Sequence, residues 1–296
     1  MYNRAYEVIE QTREKKCRIS DIVLQNECQL AECSEAEILA RIKEALRVMQ
    51  DAAQSGIDSE IMSMSGLIGG NAVKADIYSR TGKTVCGTTV NRAMARALSC
   101  SEVNASMGRI AAMPTAGSSG IVPAALITAA ETIGAGEDAL IEALLTASGV
   151  GQLIKRNATL SGAEGGCQAE CGAAAAMAAA AIVEMYGGTP ETAFDAAAIA
   201  IKSILGLVCD PVAGLVEVPC SKRNATGVVN AMACADMALA GIKSVIPFDE
   251  VVDAMYKIGK ALPTTLRETS MGGLAVTPTG EALRCRLADC NSCNRK

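Results

Sequence analysis

Histidine is absent from this chain of 296 residues, and its absence restricts the possible chemistry more than any residue that is present. Without an imidazole, neither a Ser-His nor a Cys-His nucleophile pair can be assembled, and no metal site can use one as a ligand. A general base must therefore be a lysine, glutamate, aspartate, tyrosine or cysteine, or a group from another chain.

Aromatic residues are also scarce, with no tryptophan, two phenylalanines and five tyrosines. Hydrophobic residues nevertheless make up 50% of the chain, so the core must consist mainly of alanine, isoleucine, leucine, valine and methionine. This composition favours helices that pack closely through small side chains. We predict an all-α fold: a single Ala-rich helical domain whose Gly/Ser loops converge on one site.

Positive charge is in deficit, since the net charge is −5 and the isoelectric point is near 5.1. No basic patch is present to neutralise phosphates, so we predict no nucleic-acid partner. The longest apolar block, Ala173–Val183, is about half a membrane span, and the charged N-terminus does not resemble a signal peptide. We therefore predict no membrane partner and a cytoplasmic location, where the thirteen cysteines remain thiols or thiolates.

Start signals mark two helices clearly. Ser34 to Glu37 form a capping box for a helix to about residue 54, and Thr189-Pro190 place an N-cap before a first-turn proline. Further helices are predicted over residues 90–100, 124–133, 137–155, 171–186, 190–205, 224–240 and 249–260. We expect one domain, 1–296, with peripheral N-terminal helices (1–55), a core carrying the site (56–284) and a Cys-rich tail (285–296).

The tail contains Cys285, Cys290 and Cys293. We expect it to be disordered or peripheral, although three thiols on a chain end could also reach a metal site.

The strongest loop signal is PTAGSSGIVP, residues 114–123, which precedes an apolar helical segment. Backbone N–H groups of a Gly/Ser loop at a helix N-terminus can bind a phosphate or a carboxylate. The alternative is an ordinary turn. The segment is not a Walker A loop, because the GK[ST] ending is missing.

Three cysteines lie in short segments that contain glycine or proline: Cys167, Cys209 and Cys220. Thiolates are soft ligands for zinc, copper(I) or iron–sulfur clusters, and three ligands leave one metal position open. The spacing matches neither paired C-x-x-C zinc sites nor a ferredoxin run, so it does not identify the metal. The alternative is that these cysteines are buried small hydrophobic residues.

Four segments, taken together and in this order, resemble one known family. They read NASMGRIAAMPTAGSSGIVPAAL (104–126), SGAEGGCQAECG (161–172), CDPVAGLVEVPC (209–220) and GGLAVTPTG (272–280). The chain is similar over nearly its whole length to the alpha chain of the bacterial iron–sulfur-dependent L-serine dehydratases, also called L-serine ammonia-lyases.

This resemblance implies a 4Fe-4S cluster held by Cys167, Cys209 and Cys220, and no pyridoxal phosphate. The fourth iron would be left for L-serine, where it acts as a Lewis acid on the substrate hydroxyl. The first products would be aminoacrylate and water, and aminoacrylate would then yield pyruvate and ammonia. The family also implies a beta chain as the partner.

We assign further site residues from both lines of reasoning. The predicted ligands of the substrate carboxylate are Thr115, Gly117, Ser118, Ser119 and Gly120. Glu164 and Ser161 are predicted to orient the substrate or to hydrogen-bond cluster sulfurs, although Glu164 could also be a solvated loop charge.

The sequence does not identify the base that removes the α-proton. The candidates in this chain are Glu164, Glu170, Lys74 and Lys155, and we prefer the hypothesis that a beta chain completes the site and supplies the base.

Other functions fit parts of the same pattern. A related cluster-dependent lyase could act on L-cysteine or L-threonine, because an open iron could equally activate a thiol or a secondary alcohol. A non-enzymatic iron–sulfur sensor or electron carrier would require a fourth permanent thiolate. A pyridoxal phosphate enzyme would require a Schiff-base lysine such as Lys74, Lys83 or Lys155, and none lies in a recognisable cofactor motif.

Overall fold

The computed structural model describes the chain over residues 2–293, with side chains over residues 2–288. Within that range the fold is all-α, as predicted, and the only β-type pairings are two isolated bridges, Met62–Gly69 and Cys209–Arg267. The α-helices, in chain order, are α1 (Ala5–Lys15), α2 (Ile19–Ala31), α3 (Glu35–Asp58), α4 (Asn71–Ser79), α5 (Gly87–Ala105), α6 (Ile121–Ile133), α7 (Glu137–Asn157), α8 (Gly162–Gly165), α9 (Ala173–Met185), α10 (Pro190–Lys202), α11 (Cys220–Leu239), α12 (Phe248–Ala261) and α13 (Pro278–Cys293).

Both predicted helix starts are confirmed. The Ser34 backbone N–H donates to the Glu37 carboxylate at 2.8 Å, while the Glu37 N–H donates to Ser34 Oγ at 3.4 Å. At α10 the Thr189 hydroxyl accepts from the Thr192 N–H at 3.2 Å, and Pro190 is the first helical residue. These caps satisfy backbone N–H groups that have no partner inside the helix.

Other helix boundaries differ from the prediction. α6 begins at Ile121, two residues before Pro123, because a proline in the first turn removes an N–H that has no intrahelical partner anyway. α5 begins at Gly87 and ends at Ala105, so it extends past the predicted range at both ends. α11 begins at Cys220 and not at Asn224, which brings a predicted metal ligand into the first helical turn.

Helix α9 lies at the centre of the molecule and contacts α6, α7, α10 and α11. Every residue from Ala173 to Val183 is buried, and the alanines are fully buried. Side chains this small bring neighbouring backbones close together, which explains how a core with few aromatics reaches close packing. Val8, Val23 and Leu46, which lie on the first three helices, belong to the same core. The predicted divisions of the chain at residues 55 and 284 stay predictions.

One segment, Ala116–Ile133, is apolar and long enough to cross a membrane, but 67% of it is buried within the protein. The core helix α6 accounts for its composition. At the other end of the chain, Cys285 is exposed on α13. The side chains of Cys290 and Cys293 lie outside the described residues, so the role of the tail stays a prediction.

Candidate active site

The first part of the site is the turn that connects α8 to α9. Gly166 has φ +75°, and a Cβ there would lie 2.8 Å from the Leu207 carbonyl oxygen. A glycine is therefore needed both for the backbone angle and for the close approach. Cys167 follows it and opens a π-helical turn, Gln168–Gly172, that leads into α9. Such widened turns are rare and often lie at functional sites.

Four thiols come together around this turn. The side chains of Cys167 and Cys209 are each 4% exposed, Cys171 is fully enclosed and Cys220 is half-buried. The sulfur atoms of Cys167 and Cys171 are 3.3 Å apart. Burial, followed by the negative charge of Cys167, raises the pKa of Cys220 to about 12 and raises that of Cys209 as well. The three predicted cysteines thus share one site, and sequence reasoning missed the fourth, Cys171.

Backbone hydrogen bonds fix the position of Cys209. Its N–H donates to the Leu266 carbonyl at 2.9 Å, and its carbonyl accepts from the Glu268 N–H at 2.8 Å. The segment before the GGLAV motif therefore runs beside the Cys209 loop. The Leu274 N–H also donates to the Asp210 carboxylate at 2.8 Å, which ties the GGLAV motif itself to the site.

Arg223 on α11 supplies the nearest positive charge. Its guanidinium forms an ion pair with Asp210 at 2.9 Å and donates to the Val208 carbonyl at 2.9 Å. The pKa of the Cys167 thiol is lowered, first by the hydrogen bond from Cys171 and then by the charge of Arg223, against the opposing effect of burial. This environment favours a thiolate at Cys167, which is the form that binds metal.

The predicted carboxylate loop lies against the same helix. The Asn224 side chain accepts from the Gly120 N–H at 3.0 Å and donates to the Gly117 carbonyl at 2.6 Å. It also donates to the Cys220 carbonyl at 2.9 Å, so one amide joins the loop to a predicted metal ligand. Because the Gly120 N–H already has this partner, binding of a carboxylate must rely on other groups of the loop. Sequence reasoning missed Asn224.

The hydroxyl groups of this loop have partners within the loop. Ser118 and Ser119 are buried. Thr115 Oγ1 lies 3.1 Å from Ser118 Oγ, and the Ser119 hydroxyl donates to the Ala116 carbonyl at 2.9 Å. Thr115 is half-buried and lies closest to solvent among these three.

Glu170 projects from the π-helical turn into the space between the loop and the thiols. A Cβ added to Gly117 would lie 3.5 Å from both of its carboxylate oxygens. A Cβ added to Gly162 would lie 2.8 Å from one of them and 3.1 Å from the sulfur of Cys209. Burial raises the pKa of Glu170, the Thr115 hydroxyl lowers it by hydrogen bonding, and the charge of Glu268 raises it further.

The other candidate bases lie elsewhere. The Glu164 side chain is 57% exposed and has Lys260 Nζ at 4.0 Å, which matches the solvated loop charge considered above. Lys74 and Lys155 are exposed. Ser161 is half-buried and caps α8 directly before Gly162, so it stays next to the site. Of the four candidate bases, the structure brings only Glu170 between the loop and the thiols.

Comparison with known proteins agrees with this arrangement. A family model described as serine dehydratase alpha chain matches residues 14–275. The chain belongs to the serine dehydratase alpha chain family. It is 52% identical over 287 residues to the "Probable L-serine dehydratase, alpha chain" of Bacillus subtilis, covering 97% of this chain and 95% of that protein. It is 48% identical over 284 residues to the "L-serine dehydratase, alpha chain" of Peptoniphilus asaccharolyticus, covering 96% and 97%.

Some proteins related to the serine dehydratase alpha chain family are longer. The "L-serine dehydratase 2" of Escherichia coli is 36% identical over 286 residues, which is 93% of this chain but 61% of that protein. Its polypeptide therefore carries a further part with no counterpart in the aligned region. The resemblance first seen in the four motifs is confirmed at the level of the family.

Proposed function

We propose that this chain is the alpha chain of an enzyme that converts L-serine to pyruvate and ammonia, with a 4Fe-4S cluster bound by Cys167, Cys209 and Cys220. The observation that carries the proposal is the convergence of three thiols and a Gly/Ser loop on one α-helix, α11. Relatives along the full length that bear the name L-serine dehydratase alpha chain support the choice of substrate. We also propose a cytoplasmic location, because thirteen cysteines in a long chain suit a reducing compartment in which they remain thiols.

The donor set fits an iron–sulfur cluster. Cys167, Cys209 and Cys220 supply three thiolates, which are the soft ligands that such clusters use. Gly162 fits as well, since a side chain there would come within 3.1 Å of the Cys209 sulfur. The glycine therefore leaves room beside that ligand.

The cluster, when bound, supplies an iron without a protein thiolate, which acts as a Lewis acid on the serine hydroxyl. This chain supplies further parts of the binding site. Arg223 favours the thiolate form of Cys167, and Asn224 holds the loop of residues 115–120 against α11. We propose that this loop binds the serine carboxylate and that Ser161, the N-cap of α8 directly before Gly162, orients the substrate.

We further propose that a beta chain completes the active site and supplies the base that removes the α-proton. The chain has no histidine, and of its own candidates Glu164, Lys74 and Lys155 are exposed. The longer relative from Escherichia coli supports the need for a further part. If the purified alpha chain alone turned over serine at the full rate of the two-chain enzyme, this proposal would be wrong.

The experiment measures iron, acid-labile sulfide and zinc on anaerobically prepared protein, with and without the beta chain. We expect about four irons per chain, a visible spectrum and an EPR signal that change on addition of L-serine, and faster turnover of serine than of L-threonine or L-cysteine. Cys167→Ser, Cys209→Ser and Cys220→Ser should each lose iron, while Cys86→Ser, at an exposed cysteine, should keep it.

Stoichiometric zinc in place of iron would overturn the cluster assignment. A four-iron cluster that does not respond to serine, even with the beta chain, would favour a sensor or an electron carrier. If Cys171→Ser lost iron as completely as Cys167→Ser, Cys171 would also be a ligand, and the proposed set of three cysteines would be wrong.

A further inference from the structure

Glu170 is a carboxylate without a compensating cation. Among the described side chains, no lysine or arginine nitrogen pairs with it, although fifteen other ion pairs form. The one charged group that acts on it is also acidic, Glu268, and the guanidinium of Arg223, the cation of this site, pairs with Asp210 and not with Glu170. A carboxylate taken from water into such surroundings is costly unless a cation binds to it. Its surroundings therefore suit a cationic ligand.

The position of Glu170 relates that cation to the substrate. Both of its oxygens lie near Gly117 of the carboxylate loop, and one of them, Oε2, also lies near Gly162 beside Cys209. An α-amino acid carries its ammonium and its carboxylate on the same carbon atom. When the loop holds the carboxylate of the substrate, the substrate's ammonium group therefore lies within reach of the Glu170 oxygens. Carboxylate oxygens that accept hydrogen bonds from an ammonium group form strong, charge-assisted hydrogen bonds.

We propose that Glu170 binds the α-ammonium group of the substrate, and that this contact selects amino acids over hydroxy acids that lack the amine. The inference rests on the proposed function, because it assumes that serine binds between the loop and the thiols. It assigns Glu170 a role in substrate recognition and leaves removal of the α-proton to another group.

The test compares two ligands on the anaerobic enzyme assembled with its beta chain. L-Serine and 3-hydroxypropanoate differ only by the ammonium group, and the cluster's visible and EPR spectra report the binding of each. In Glu170→Gln, we expect the affinity for L-serine to fall roughly 10- to 100-fold, as for loss of a hydrogen bond to a charged group. The affinity for 3-hydroxypropanoate should stay the same, and Glu170→Asp should restore part of the selectivity.

Controls separate the possible failures. Glu10→Gln changes an exposed carboxylate on α1 and should alter neither affinity. If Glu170→Gln kept its serine affinity but lost turnover, Glu170 would be the base and the inference would be wrong. An equal loss for both ligands, with iron content retained, would also refute it, because Glu170 would then only shape the site. If the unmodified enzyme did not respond to serine at all, the proposed function itself would fail.

Discussion

Arg223 connects three parts of the site through one guanidinium group. It pairs with Asp210, donates to the Val208 carbonyl and lowers the pKa of Cys167. Asp210 in turn accepts from the Leu274 N–H and is 3% exposed. Because Asp210 is shielded from water, its charge depends on the arginine far more than a surface carboxylate would. The same residue therefore supports both the fold around Cys209 and the thiolate form of Cys167.

We expect Arg223→Ala to lower the free energy of unfolding by about 3 to 5 kcal/mol, because it leaves the buried Asp210 carboxylate without its cation and with only the Leu274 N–H as a partner. Anaerobic urea unfolding measures the stability, and iron analysis should show a parallel loss of cluster. The matched control, Arg284→Ala, removes an exposed pair with Glu281 and should cost less than about 1 kcal/mol. Equal, small effects of the two substitutions would show that Arg223 does not support the site.

At the scale of elements, helix α12 supports the thiol-bearing turn from behind. The buried Gln168 side chain donates to the carbonyls of Gly165 and Met255 at 3.0 Å each and accepts from the Gly206 N–H at 2.9 Å. Gly259 of α12 packs directly on the turn, since a Cβ there would lie 2.7 Å from the Gly165 Cα. The contact has no space for a methyl group, so the packing of α12 sets the position of Cys167.

Gly259→Ala should therefore push α12 away from the turn. We expect a loss of about 1 to 3 kcal/mol in stability, as for other overpacked contacts, together with faster release of iron to a chelator under anaerobic conditions. Gly136→Ala is the control, because nothing lies within 4 Å of a Cβ at that position. Gly136 is the N-cap of α7, where alanine is less favourable than glycine by up to about 1 kcal/mol, so the control should leave the rate of iron release unchanged even where it lowers the stability. If Gly259→Ala released iron at the rate of the unmodified protein, the packing of α12 would have no role in retaining the cluster.

The helices that could be predicted were those with local signals, such as the caps at Ser34 and Thr189. The start of α11 was missed because the polar run after Cys220 resembles a loop. In the structure, that run is the first turn of a helix, and it presents Arg223 and Asn224 to the site. Cys171 was missed because it precedes an alanine-rich core helix, and a π-helical turn, which has no clear sequence signal, brings it beside Cys167.

At the scale of the whole molecule, eight of the eleven thiols with described side chains divide into three environments, and the other three, Cys17, Cys28 and Cys33, are half-buried. Cys86 and Cys285 are exposed. Cys100 and Cys234 are buried in the helical core, where burial raises their pKa values to about 12 and about 11. The site thiols form the third group, and among them Cys220 is half-buried and so the most accessible to a reagent. One labelling experiment can therefore report on the surface, the core and the site together.

We expect iodoacetamide at about pH 8 to modify Cys86 and Cys285 first, with the modified peptides identified by mass spectrometry. Cys100 and Cys234 should react only at the rate of unfolding, because both burial and a raised pKa keep them as protonated thiols at that pH. Cys220 should be protected while iron is bound. After anaerobic chelation of the iron it should react slowly, because its pKa is also raised but its side chain is half-buried and accessible, whereas the buried Cys100 should stay protected. Rapid labelling of Cys100 in the folded protein would mean that the Ala-rich core opens readily. Labelling of Cys220 while iron is still bound, at the rate seen after chelation, would mean that Cys220 is not a metal ligand.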